Sequence, residues 1–188
     1  MTDATRPRGI DALPGEFMMW VLIVSELLVF GAGLIAFSAV RLTDPAGFAQ
    51  AQSHLDAVGA GINTMVLVTS GWLAARAVRL AQAGRLRATR AHLAGASALG
   101  LLFLWIKGAE YVAKTTEGIT FETHPFFMFY YLLTGFHAAH VVAGLAIFAL
   151  VAWRSAPRAV EVGAQFWHMV DLVWLLLFPV IYLVGQGG

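Results

Sequence analysis

The chain has no cysteine and little charge: of 188 residues, only 12% are Asp, Glu, Lys or Arg. Without thiols there can be no disulfide, no thiolate metal site, no iron–sulfur cluster and no C-x-x-C-H attachment of haem. Any metal or haem must rest on histidine and carboxylate, or be carried by a partner. The shortage of charge accompanies 59% hydrophobic residues and a mean hydropathy of +0.74, which excludes an ordinary soluble domain. Internal repeats, low-complexity tracts and connections long enough to form a soluble head are also missing. A cleavable signal is not expected, because the first apolar stretch is long, contains Glu26 and lacks an A-x-A end.

What the chain does have is long apolar runs. Crossing a bilayer takes about 20 mostly apolar residues, and five windows qualify: 17–40, 58–80, 91–113, 126–153 and 164–184. The expected fold is an all-α integral membrane protein, with residues 1–188 forming a single domain of five transmembrane helices. Lys and Arg in the short loops set orientation. Arg76, Arg79, Arg85, Arg87 and Arg90 surround the second connection without an acid. Arg6 and Arg8 mark the N-terminal tail, and Arg154 and Arg158 the fourth connection. The first connection sets Arg41 against Asp44 and Asp56, and the third sets Lys114 against Glu117 and Glu122. This alternation predicts a cytoplasmic N-terminus and a C-terminus outside. It also accounts for the basic loop without a nucleic-acid partner.

Ionisable groups inside such windows are the informative residues, since a charge at membrane depth costs on the order of 2.5–3.5 kcal/mol even on lenient scales. Glu26 lies about ten residues into the first window, with Ser25 beside it and no basic residue in its helix interior. It reads as a neutral acid bonded to a neighbouring helix, or as part of a proton-linked or lipid-facing site. Asn63, Thr64, Thr69 and Ser70 on the second helix read as interhelical packing groups. On the third helix, Glu110 follows Lys107 by three residues and precedes Lys114 by four, a spacing for an interfacial salt-bridge cluster.

The fourth helix carries His137 and His140 at i, i+3 beside a small-residue seam of Gly135, Ala139 and Ala143. The fifth carries His168 and Asp171 at the same spacing, where an acid can fix the imidazole's tautomer. No Glu-x-x-His exists, which argues against a di-iron bundle. His137 or His140 opposite His168 could supply two axial ligands to a haem. The alternative is a satisfied network between helices.

These two helices resemble a family. Thr134-Gly-Phe-His137-x-x-His140-Val, followed by Glu161-x-Gly-Ala-Gln-Phe-Trp-His168-Met-Val-Asp171-Leu-Val-Trp, is similar to subunit III of haem–copper oxidases. Ser25-Glu26-x-x-x-Phe, Asn63-Thr-x-Val-Leu and Glu110-Tyr111 extend the match in order, from about Pro14 to Gly185. The pattern resembles the short five-helix form, so the lipid-filled cleft that two further helices wall in the long form is not carried over. The run Phe126-Phe-Met-Phe-Tyr-Tyr, with Glu110-Tyr111-x-x-Lys114 and Gly118-Ile119 before it, looks most like the branch associated with nitric oxide reductase.

The resemblance implies a non-catalytic accessory subunit in a bacterial inner (plasma) membrane. Such a subunit has no active site or cofactor of its own. Haem and copper or iron reside in partner subunits, and this chain packs on the haem-bearing subunit I and on phospholipid. It would stabilise that subunit and support proton uptake. Glu26 falls on the position of a carbodiimide-reactive glutamate, while His137, His140, Glu161, His168 and Asp171 fall on recurring polar positions. The rival from the residues alone is a free-standing bis-histidine haem carrier. A proton-coupled transporter is disfavoured, because neither broken helices nor inverted halves are visible.

Overall fold

The computed structural model describes residues 17–154 and 156–184. All regular structure among them is helical. The order is α1 (Phe17–Thr43), α2 (Pro45–Ser53), α3 (Ala57–Gln82), α4 (Leu86–Thr116), α5 (Pro125–Arg154) and α6 (Pro157–Phe178), which continues as a π-helical turn, Pro179–Leu183. Five of these are long and apolar enough to cross a membrane, as the composition requires. The tail arginines, Arg6 and Arg8, lie outside the described residues.

The helices outrun their apolar windows because local signals set their ends. Pro157 stands in the first turn of α6, where its fixed φ suits a helix and its missing N–H is not needed. The helix therefore starts well before residue 164, and Glu161 becomes a helical residue. The first connection folds into α2, which the hydropathy pattern does not reveal. Asp44 caps it by accepting the Gly47 N–H at 3.0 Å, Pro45 opens it, and Phe48 is buried beneath it. Asp56 likewise caps α3, accepting from Val58 and Gly59. Between α3 and α4, Gly84 adopts φ +71°, a left-handed turn that lets the two helices fold back on each other.

α6 is the centre of the bundle. Its buried face includes Val160, Ala164, Trp167, Val170, Trp174 and Leu177, the three-and-four spacing of one helix stripe, and it packs against α3, α5 and α1. Trp167 is fully buried between two glycines. A Cβ on Gly100 of α4 would lie 2.6 Å from its ring, and one on Gly144 of α5 would lie 2.5 Å away. The small residue at position 100 thus admits an indole. α1 is peripheral, with Phe30 and Phe37 its only fully buried residues among those described.

Side-chain bonds show which helix ends share a side. Arg41 donates to the Val184 carbonyl, Gln52 to the Ile181 carbonyl at 3.0 Å, and His124 contacts Asp44 at 3.3 Å, gathering one end. At the other end, Arg90 donates to the Trp153 carbonyl at 3.2 Å. Asn63 donates to the Phe103 carbonyl and Ser70 to the Ala96 carbonyl, joining α3 to α4, while Thr64 accepts the Trp174 indole N–H from α6. Thr69 is exposed and bonds only its own helix, at Met65.

Candidate functional site

The largest polar group in the interior is built around Lys107. Its ammonium donates to Glu110 Oε2 at 2.9 Å, to the Tyr130 hydroxyl at 3.3 Å and to the Tyr182 hydroxyl. Those three bonds use all the N–H donors a lysine has. Both phenols in turn donate to Glu110 Oε1, at 2.7 and 2.9 Å. The rings of Tyr130, Tyr182, Trp174 and Tyr111 stand 4.8, 5.0, 5.4 and 5.5 Å from the ammonium, within cation–π range. Lys107 is 2% exposed.

The cluster is therefore buried between α4, α5 and the π turn, rather than interfacial as the spacing suggested. Lys114 does not join it, but pairs with Glu117 at 2.8 Å. Tyr182 reaches the cluster because Pro179 supplies no N–H to continue the α-helix, and the chain widens to a bond from Val184 N–H to the Pro179 carbonyl. The sequence places Lys107 only in an interfacial pair with Glu110 and leaves Tyr130, Trp174 and Tyr182 out of the site; a lysine directly after the apolar run Leu99–Ile106 is the signal that points to burial.

Glu26 is not isolated. His140 Nε2 of α5 lies 3.1 Å from its Oε2, close enough for an ion pair although not aligned for a hydrogen bond. Ser25 does not assist, because its hydroxyl donates to the Leu22 carbonyl. His140 Nδ1 is 2.9 Å from the Phe136 carbonyl, which fixes it as the protonated nitrogen. Nε2 then meets Glu26 favourably only through a proton on one of the two facing atoms. The pair joins α1 to α5 at a partly exposed position.

His168 and Asp171 do meet, with Nδ1 3.5 Å from Oδ2. Their surroundings differ sharply: His168 is 47% exposed at its side chain, and Asp171 is nine-tenths buried. Asp171 Oδ1 is enclosed without a hydrogen-bond partner. His137 is fully buried, with its ring 5.1 Å from Trp174 and 5.6 Å from Phe103, and neither nitrogen is bonded. Glu161 is half-buried in the first turns of α6. Of the small-residue seam, Ala139 and Ala143 are exposed and Gly135 is half-buried, with room for a Cβ 3.8 Å from the Tyr111 hydroxyl.

The three histidines thus occupy three separate settings: an aromatic box, a carboxylate on α1 and the outer face of α6. This arrangement does not present two imidazoles to one haem. Among the described residues, no three His, Cys, Asp or Glu side chains converge on a metal-sized site.

A bundle of five helices long and apolar enough to span a membrane, with ionisable side chains paired between them, defines the class: an all-helical integral membrane protein. The chain belongs to the cytochrome c oxidase subunit III family, whose profile matches residues 14–186. It is 30% identical to cytochrome c oxidase subunit 3 of Corynebacterium diphtheriae, covering 97% of this chain and 96% of that protein. It is 31% identical to a probable cytochrome c oxidase subunit 3 of Mycobacterium leprae, over 87% and 85% of the two chains. The corresponding values for the Synechocystis protein of that name are 28%, 89% and 75%.

Proposed function

We propose that this chain is a non-catalytic integral subunit of a respiratory haem–copper oxidase superfamily complex, held in a bacterial plasma membrane with its N-terminus cytoplasmic. The observation that carries the reading is the use of its interior polar groups. Lys107, Glu110, Glu26 and His140 are engaged in joining helices of the bundle, which suits a scaffold that stabilises a haem-bearing subunit. Haem and copper or iron belong to the partner, and phospholipid covers the apolar exterior. Purifying the tagged chain from its own membranes in mild detergent tests this directly. Recovery of a large haem-bearing subunit is the expected result. Recovery of the chain alone, while other respiratory complexes stay intact, would sink the assignment.

Two finer readings follow. The aromatic run 126–131, whose Tyr130 bonds Glu110 and Lys107, supports the branch associated with nitric oxide reductase. Nitric oxide consumption by the purified complex should then exceed its oxygen consumption, and the reverse ratio would return the chain to an oxygen-reducing oxidase. Glu26, facing His140 across α1 and α5, is the group through which proton uptake is supported. Glu26→Gln should make turnover decay faster, whereas an unchanged time course would leave Glu26 a structural acid.

A further inference from the structure

All four tyrosines of the chain stand in one place, whereas its 13 phenylalanines are spread from Phe17 to Phe178. Ring centroids lie 4.9 Å apart from Tyr131 to Tyr130, 6.3 Å from Tyr130 to Tyr182 and 6.4 Å from Tyr182 to Trp174. Tyr111 is 5.1 Å from Tyr131 and 5.7 Å from Tyr130. Phenylalanine would serve for packing alone, so what sets these positions apart is the hydroxyl.

The hydroxyls fall into two kinds. Tyr131 donates to the Ile119 carbonyl at 2.9 Å, and Tyr111 meets the Thr134 hydroxyl. Neither partner is a base. Tyr130 and Tyr182, both fully buried, each donate to Glu110 Oε1, at 2.7 and 2.9 Å, while their oxygens accept from Lys107. A lysine ammonium has only donors, so both phenol protons are committed to the carboxylate. A phenol gives up an electron readily only when its proton can leave with it, and a carboxylate at hydrogen-bond distance receives that proton. Thiols, which would otherwise be the readiest one-electron donors, are absent from the chain.

We propose that Tyr130 and Tyr182 form a redox-active pair that takes up one oxidising equivalent. An electron leaves one phenol, its O–H proton passes to Glu110 Oε1, and a neutral phenoxyl remains, hydrogen-bonded by Lys107 and by the newly formed Glu110 acid. The oxidant is an oxygen-centred radical such as a peroxyl, which gains the electron, takes a proton from water and becomes a hydroperoxide. Tyr131 is the point of entry. It is half-buried, lines an open groove of about 770 Å³ with Thr115, Phe121 and Met128, and touches Tyr130 ring to ring. A hydroquinone restores the pair: it gives one electron, releases a proton to water and becomes a semiquinone, while Glu110 returns its proton to the phenoxyl. This activity resides in the chain itself and does not depend on the subunit reading.

The test oxidises the purified full-length chain in detergent with flash-generated tris(bipyridine)ruthenium(III), followed by freezing and electron paramagnetic resonance. No tyrosine lies outside the cluster, so any tyrosyl spectrum reports on it. The expected product is a phenoxyl coupled to an exchangeable deuteron when the chain is prepared in heavy water. Its lifetime should exceed at least tenfold that in a chain carrying Lys107→Met with Glu110→Gln. Tyr131→Phe should slow its formation but keep the long-lived signal, and Tyr130→Phe with Tyr182→Phe should abolish it. Radicals confined to tryptophan, or a phenoxyl without deuteron coupling, would overturn the proposal in the unmutated chain, whether or not the variants fold. An unchanged lifetime in the folded Lys107 and Glu110 variant, or a long-lived signal surviving the double phenylalanine change, would overturn it as well.

Discussion

Lys107–Glu110 and His168–Asp171 are both ionisable pairs at i, i+3 on membrane-spanning helices, yet the bundle treats them oppositely. In the first pair every donor and acceptor is used. The ammonium has three partners, the carboxylate receives both phenols, and four aromatic rings close over them. In the second pair the contact is long at 3.5 Å, one carboxylate oxygen is empty-handed, and the imidazole is half outside. Equal spacing therefore says nothing about equal role. Completeness of the hydrogen-bond set separates a group that holds this fold together from one that adds little to it, because an unsatisfied buried acceptor costs free energy.

The contrast can be broken most severely at Lys107. Lys107→Met leaves Glu110 buried without its cation, and losing one partner of a buried pair costs about 3–5 kcal/mol. The variant should melt far below the parent in detergent, by near-ultraviolet circular dichroism or a fluorescence ramp. Lys107→Met with Glu110→Gln should recover most of that loss. A double variant as unstable as the single one would show that the aromatic shell, not the pair, carries the effect. Tyr182→Phe comes next. It removes a hydroxyl that bridges Lys107 and Glu110, and about 1–3 kcal/mol is expected for unmaking bonds to buried charged groups.

At the other pole, Asp171→Leu should change the stability of the isolated chain by less than about 1 kcal/mol, since few bonds are lost and an unsatisfied buried oxygen disappears. A large drop in its melting temperature would erase the distinction between the two pairs.

The smallest effect belongs to the Asp44–His124 clasp between the starts of α2 and α5. The Gly47 N–H, then His124, hold the Asp44 carboxyl below its ordinary value of 3.8. A depressed carboxyl contributes stability that is fully present above the unfolded value and is lost as pH falls through the lower folded one. Acidification from pH 5 to below 3.8 should therefore loosen this end slightly. Asp44→Asn should flatten that slope, as read by hydrogen exchange at the amide of Gly47.

Much of the site was legible as a set of positions, and little of it as a set of contacts. Glu26, Glu110, His137, His140, His168 and Asp171 stand out because each is ionisable within an apolar run. The pairs Lys107–Glu110 and His168–Asp171 follow from one helix's own geometry. Glu26 with His140 does not, because it depends on how α1 and α5 rotate against each other across more than a hundred intervening residues. Tyr182 was illegible for a further reason: it lies past Pro179, and only the π turn swings its hydroxyl toward Lys107. α2 was hidden because a short capped helix leaves no hydropathy signature.

By itself, the sequence determined the solvent and the architecture. Runs of about 20 apolar residues have no stable form in water and must satisfy their backbone internally, so five helices in a membrane follow directly. Only the tertiary structure decided which polar groups are finished and which are open. That outcome depends on helix rotation and on the space glycines leave at positions 71, 100 and 144, where ångström-scale clearances admit a carboxylate or an indole. Those distances arise from packing between segments far apart in the chain, and no local pattern of residues encodes them.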